Sequence, residues 1–358
     1  MKLHFVFFLI FFLKFTFQCS FITHFYITEH SISDAQNTLD PKFYTLLTNN
    51  LITSQVGSMS PDWGYLGDDY HHDLAEIMHG SEYLYASFDY LKEKYPNIND
   101  EESQKHWAFF VGIGCHQVAD IYWHGLNGDP LGFMKEANRK DIDRLNISWI
   151  TDVIIEPAVD MFIVDKYHPQ ISFKWWIPAQ DVCDVYSVLG ATVEPDDFIL
   201  GIDVLKVLMI LMKTLNWAGT ELGKVILEWS YANYMTWPHG GVQNCIDMSV
   251  PYYTDAWLYL NDNKLFPQNF SPYFSPFFDN FFSFNDITDN FFQNLIPAAR
   301  ELIDSGIITI SHTQNDDGSV TSENPHIADF SKFLGLIQRY FGINTLEHLS
   351  YQFLNEFL

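Results

Sequence analysis

The stretch from Lys105 to His124, KHWAFFVGIGCHQVADIYWH, constrains this chain more than any other. His116, Asp120 and His124 stand two successive steps of four apart, so on a helix they share one narrow stripe. Trp107, Phe109, Phe110, Val111 and Ile113 make that helix apolar on most sides, as expected of a buried one, while Gly112 and Gly114 leave room for a close neighbour. Two imidazoles and a carboxylate in such surroundings cost free energy unless they are paired or bind metal. The stripe reads as half of a metal site, with a hydrogen-bonded polar network inside the core as the alternative.

Partners for the stripe are sought upstream. His24 stands alone near the N-terminus, in a segment that opens a helix around Thr28 to Gln36, and a lone His there is read as a surface residue or a ligand. Gln55 to Trp63 reads as a loop, punctuated by Gly57 and Pro61 and filled with Ser, and Asp62 within it is a turn residue or a ligand. His72, Glu76 and His79 are four and three residues apart and share a helical face, which suits a zinc ion or a solvated polar face equally. The helix that follows ends before Pro96.

Beyond His124 a loop and a short helix precede a helical stretch from Ile150 to Lys166, in which Asp152 and Glu156 lie one turn apart. Helical patterns continue from Ile177 to Met235, and period-two alternation is scarce. The expected fold class is all-α: a multi-helix domain over residues 19–258 and an aromatic-rich C-terminal extension over residues 259–358, packed on it. From about Leu260 the composition turns to Phe, Asn, Asp and Pro, read as a loop whose rings pack on the domain or as an apolar surface for membranes or lipid. A last helix from about Ile327 to Leu358 is expected to dock by its Leu and Phe stripe.

The first residues have the layout of a secretory signal over residues 1–18: Lys2, an apolar run from Phe5 to Leu13, and a change of composition near Gln18 to Ser20. An uncleaved anchor is the alternative. Sequons at Asn146 and Asn269 agree with a secreted protein or one in the lumen of the secretory or endolysosomal pathway. Cys19, Cys115, Cys183 and Cys245 allow up to two disulfides with no fixed connectivity, and Cys115 reads as a small apolar core residue. A formal charge of -26, from 19 basic against 45 acidic residues, argues against a broad surface for nucleic acid or anionic lipid and favours bound divalent cations.

Assembled in order, these motifs resemble the zinc-dependent phospholipase C family, most of all its glycosylphosphatidylinositol-specific phospholipase D branch. The matching pieces are Cys19-x-x-x-Thr23-His24, Gln55-Val-Gly57 with Pro61-Asp62, His72-Asp73 with His79, and Phe110-x-Gly112 through His116, Asp120 and Trp123-His124. Fainter matches at Gly240-Gly241 and Asp255-Ala-Trp257 extend the resemblance to roughly Cys19–Trp257.

The resemblance implies a helical domain with zinc as its cofactor. By matching position, His79, His116, Asp120 and Asp62 surround a first zinc, with Asp62 also the candidate general base. His24 holds a second with Asp120 as bridge, and in relatives the N-terminal amine completes that site, so processing just before Cys19 bears on it. His124 belongs to a third. The family's next His is absent, because no His lies between His124 and His168; Asp152 matches a family Asp just beyond, and Asp141, Asp143 and Glu156 are the substitute oxygen ligands on offer. The implied function is hydrolysis of phospholipid phosphodiesters, C or D type, with phospholipid or glycosylphosphatidylinositol as substrate, peripheral membrane contact and no nucleic-acid partner. The alternatives are a lipid-binding relative with impaired catalysis and a related zinc-dependent nuclease.

Overall fold

The computed structural model describes residues 21–66, 69–142, 151–262, 301–303 and 305–341. In chain order the helices are α1 (Phe21–Asp34), α2 (Pro41–Asn49), α3 (Leu51–Met59), α4 (Asp69–His79), α5 (Ser81–Lys94), α6 (Glu101–Trp123), α7 (Phe133–Ala137) and α8 (Thr151–Tyr167). After strand β1 (Trp175–Ile177) come α9 (Ala179–Val188), α10 (Pro195–Ile226), α11 (Glu228–Asn233) and α12 (Val242–Asp262). Four strands of two or three residues, β2 (Ile308–Thr309), β3 (His312–Gln314), β4 (Val320–Ser322) and β5 (His326–Ile327), precede α13 (Phe330–Phe341). The all-α expectation holds; the strands are too short to leave a period-two signal. Cys19, the leader, both sequons, the Phe-rich stretch and the chain after Phe341 lie outside the described residues.

Helix α6 is the axis. Asp100 caps it, its carboxylate accepting from Ser103 N at 3.0 Å, and nearly every residue from His106 to Ile121 is buried. Its nearest neighbour is α3, and the two approach backbone to backbone. A Cβ on Gly112 would lie 2.0 Å from the Ser54 carbonyl oxygen, and one on Gly57 only 1.9 Å from that of Phe109. The expected loop over Gln55–Trp63 is therefore corrected: it is the end of α3 followed by a 3-10 turn over Ser60–Leu66. Gly57 is small because a helix crosses it, and the Ser hydroxyls bond back along the turn, Ser58 Oγ to Gln55 O at 2.8 Å and Ser60 Oγ to Val56 O at 2.7 Å. Helix α1 likewise begins at Phe21, earlier than the expected Thr28.

Trp63 pins the 3-10 turn. Its Nε1 donates to Tyr186 Oη at 3.0 Å, that hydroxyl donates to Leu74 O at 2.8 Å, and its ring packs on Phe198. Cys115, Cys183 and Cys245 are buried free thiols, with Cys115 in the core as expected and in contact with Tyr253. Strands β1, β4 and β3 form an antiparallel sheet in which Trp175 pairs with Ser322 and Ile177 with Val320. This brings the segment after residue 300 back onto the helices. There the buried Lys206 donates to Ser322 Oγ and to Glu323 O, while His312 pairs with Asp203 at 2.9 Å. Burial pulls the Lys206 ammonium down to about 8 against the opposing charges of Asp203 and Glu323.

The α3–α6 crossing leaves no space for a methyl group, and backbone atoms cannot rotate away as side chains do. Gly112→Ala is expected to destabilise the fold by about 2–3 kcal/mol, read from urea or thermal unfolding.

Candidate metal centre

Four segments that meet at the middle of α6 supply the site. His116 sits on α6 and its Nδ1 lies 2.7 Å from the Ser58 carbonyl, one of the acceptors left open where α3 ends. A carbonyl only accepts, so Nδ1 carries the proton and Nε2 presents a lone pair. His79, at the end of α4, is set the same way by the Ala75 carbonyl at 2.8 Å. The two Nε2 atoms therefore face each other 3.0 Å apart. Two lone pairs at that distance repel unless a cation or a proton lies between them.

Carboxylates close around this point. Asp120 Oδ2 is 3.1 Å from His116 Nε2 and 3.8 Å from His79 Nε2, while its Oδ1 is 3.3 Å from His24 Nε2. Asp62 Oδ1 is 3.4 Å from His79 Nε2. Asp62 is 1% exposed, and neither of its oxygens receives a hydrogen bond among the described residues. An ionised carboxylate so placed is costly without a positive partner. His24 is buried rather than at the surface, its ring stacked on that of His116 with centroids 3.9 Å apart.

Two ligand sets emerge, His24 with His116 and Asp120, and Asp62 with His79 and His116; within each the donor atoms lie within 4.8 Å of one another. A tetrahedral zinc with ligands at 2.0–2.1 Å holds its donors about 3.3 Å apart, close to the 3.0–3.4 Å separations given above within the two sets. The donor set of imidazole nitrogen and carboxylate oxygen suits zinc.

The charges agree. Burial opposes ionising Asp120, but His116 and His24 outweigh it and hold its carboxyl well below the usual range. Burial and the neighbouring His116 keep His24 below its usual value despite Asp120. Burial also works against protonating His79, yet the carboxylates of Asp62, Asp120 and Glu76 prevail and lift it to about 9. In the absence of a cation, a proton on His79 takes the cation's place.

The stripe bends at its end. His124 is the C-cap of α6, 3.9 Å from Asp120 Oδ1 and 3.4 Å from Glu156 Oε1 on α8. Glu156 is fully buried. Asp152 precedes it by one turn on α8. Asp141 is used elsewhere: it accepts from Trp229 N, Ser230 N and Ser230 Oγ at 2.7–3.0 Å and fastens the start of α11. Asp143 and Cys19 lie outside the described residues.

His72 and Glu76 share a helical face with His79 but join neither ligand set. Glu76 accepts from Tyr65 Oη at 2.7 Å, and the edge of His72 packs on the Tyr65 ring at 5.0 Å. Tyr65 Oη also lies 3.3 Å from His79 Nδ1, so these residues brace a ligand from outside.

Tyr65 was not among the residues singled out in the sequence, and neither was Asp160. The Asp160 carboxylate accepts from Ile22 N, Thr23 N and Thr23 Oγ1 at 2.7–3.2 Å, fixing the start of the helix that carries His24. A signal for it existed, since Asp152, Glu156 and Asp160 follow one another at steps of four.

Comparison with known proteins places this geometry in context. Residues 23–177 match the model of a family described as zinc dependent phospholipase C. Among curated proteins, phosphatidylinositol-glycan-specific phospholipase D of Bos taurus is 30% identical over 152 residues, 40% of this chain and 17% of the relative. That of Rattus norvegicus is 27% identical over 187 residues, 51% of this chain and 22% of the relative. That of Homo sapiens is 26% identical over 151 residues, 40% and 17% of the two chains. The matched stretches thus span about a fifth of the length of these relatives. No solved structure matches. Over residues 23–177, which run from the helix carrying His24 to strand β1, the chain is similar to the zinc-dependent phospholipase C family, as the order of its motifs implies.

Proposed function

We propose that this chain is a secreted or lumenal zinc-dependent phosphodiesterase that hydrolyses phospholipids by C- or D-type cleavage, with glycosylphosphatidylinositol among its substrates. The observation that carries the reading is the pair of Nε2 atoms of His79 and His116, 3.0 Å apart beside an Asp62 carboxylate that receives no hydrogen bond among the described residues. Residues 19–258 form the catalytic unit and 259–358 the extension packed on it; the pairing of β4 with β1 supports this division. The apolar leader and the two sequons support entry into a secretory pathway. Among the described residues no helix is long and apolar enough to cross a membrane.

Zinc held by His79, His116, Asp120 and Asp62, and by His24 with Asp120, would supply positive charge against the phosphate oxygens and make a nearby water more acidic. The protein's own share is arrangement and proton transfer. The Ser58 and Ala75 carbonyls hold Nδ1 of His116 and of His79, so that both rings turn Nε2 to the centre. Asp120 divides its oxygens between His24 and His116, holding the two ligand sets at a fixed spacing. Asp62 takes the proton of the attacking water as general base. A third ion is assigned to His124 and Glu156, with Asp152 on the same helix; Glu156 stands in for ligands that the family places elsewhere in the chain.

The deciding experiment measures zinc in the purified protein by mass spectrometry and identifies lipid products before and after chelation. Two to three zinc ions, with hydrolysis that chelation abolishes, are expected; a folded, metal-free protein with no lipid product would refute the reading. Diacylglycerol identifies C-type cleavage and phosphatidic acid D-type. Asp62→Asn is expected to lower the hydrolytic rate about 10²–10⁴-fold while the fold persists. Glu156→Gln is expected to remove one zinc and leave the others, which titration with a metal indicator reads. Because His79 in the metal-free protein keeps its proton up to about pH 9, zinc must displace that proton at neutral pH. Apparent zinc affinity should therefore rise with pH, by about tenfold per unit for the one proton released, and level off above pH 9.

A further inference from the structure

The candidate ligands are least buried at the C-terminal end of α6. Of the residues around the metal centre, His124 is the most exposed, with 17% of its side chain open to water against 9% for Asp120 and less for the rest. The loop that leaves His124 carries Leu131, which is 40% exposed although the chain buries most of its other large apolar residues.

That exposure is built into the fold. Lys135 Nζ donates to the Gly125 carbonyl at 2.7 Å, across the base of the loop. Asp129 pairs with His239 Nδ1 at 2.9 Å, and Trp237 Nε1 donates to the Leu131 carbonyl at 2.8 Å. These bonds hold the loop at Gly125, Asp129 and Leu131, with the Leu131 side chain outward. Behind it an aromatic series runs from the buried Trp123, next to His124, through Phe133 and Trp229 to the half-buried Trp237, with centroid separations of 4.4, 5.8 and 5.1 Å. The fixed Leu131 is thus backed by rings anchored in the core at the site itself.

We propose that Leu131 and Trp237 form a docking edge that enters the interface of a zwitterionic phospholipid layer and brings the His124 end of the metal centre to the head groups. The inference rests on the phospholipid reading given above. Leu suits the acyl boundary, and the half-exposed ring of Trp237 suits the level of the head groups, its N–H being already given to Leu131. The net charge of -26 sets the preference for a zwitterionic over an anionic layer. The Asp129–His239 pair lies beside the edge and fixes the loop.

The test sediments sucrose-loaded phosphatidylcholine vesicles with the zinc-loaded full chain, and separately follows hydrolysis of dihexanoyl phosphatidylcholine below its micelle concentration. Leu131→Glu is expected to weaken vesicle binding about tenfold or more, with an unchanged thermal midpoint and unchanged turnover of the monomeric lipid. Leu131→Trp is expected to bind vesicles at least as tightly as the wild type. Equal binding by wild type and Leu131→Glu, or no binding by the wild type, would overturn the proposal. So would a Leu131→Glu effect confined to dimer formation, which would give the edge to a second copy of the chain. Leu131-dependent vesicle binding without hydrolysis of any phospholipid would sustain the docking edge while removing the phospholipase reading.

Discussion

One hydrogen bond, from His116 Nδ1 to the carbonyl of Ser58, joins the fold to the chemistry. It exists because α3 and α6 touch backbone to backbone at Gly57 and Gly112, so that the end of one helix lies against the flank of the other. It sets the tautomer of His116, and through Nε2 it determines what can occupy the space shared with His79, Asp62 and Asp120. A larger residue at the crossing would separate the helices and turn a prepared ligand into an ordinary buried His. The polar centre therefore depends on two residues that have no polar side chain.

The parts of the site legible in the sequence were those written at helical spacing. His116, Asp120 and His124 declare a common face by their steps of four, and His79 belongs to a second such set. Asp62 and His24 carry no such signal, and only the order of motifs marks them. Pro61 does mark the change from α3 to the 3-10 turn, but Gly57 lies inside α3, because a glycine required by a neighbouring helix looks the same, in one dimension, as a glycine required by a turn. Tyr65 carries no periodic signal, and Asp160 carries only its step of four from Glu156, because the one acts on another side chain and the other on backbone, at distances the sequence does not contain.

Around His124 the chain shows how a buried charge is reassigned. Of the acids open to that position in the sequence, Asp141 is taken up by the amides at the start of α11, and Glu156 faces His124 from α8. Both are buried; Asp141 has the donors that a buried carboxylate requires, and Glu156 has the His124 ring at 3.4 Å. Asp203 and Lys206 follow the same rule far from the centre, where they bind the returning β3–β4 segment to α10. In this molecule ionic groups mark the joints between segments as well as the candidate metal centre, so a buried charge alone does not identify a site.

The clamp of Asp160 on Thr23 also has a temporal meaning. Its partners are separated by 137 positions, and α1 is held again two turns on by the contact of Ser31 with Tyr253, 222 positions away. A chain emerging from the ribosome can form α1 early, but it has nothing against which to seat that helix until α8 and then α12 have left the exit tunnel. His24 thus reaches its partners late in synthesis, after the neighbouring ligands on α4 and α6 have already emerged. The polar cluster therefore stands open on one side until then, and its closure coincides with completion of the helical domain.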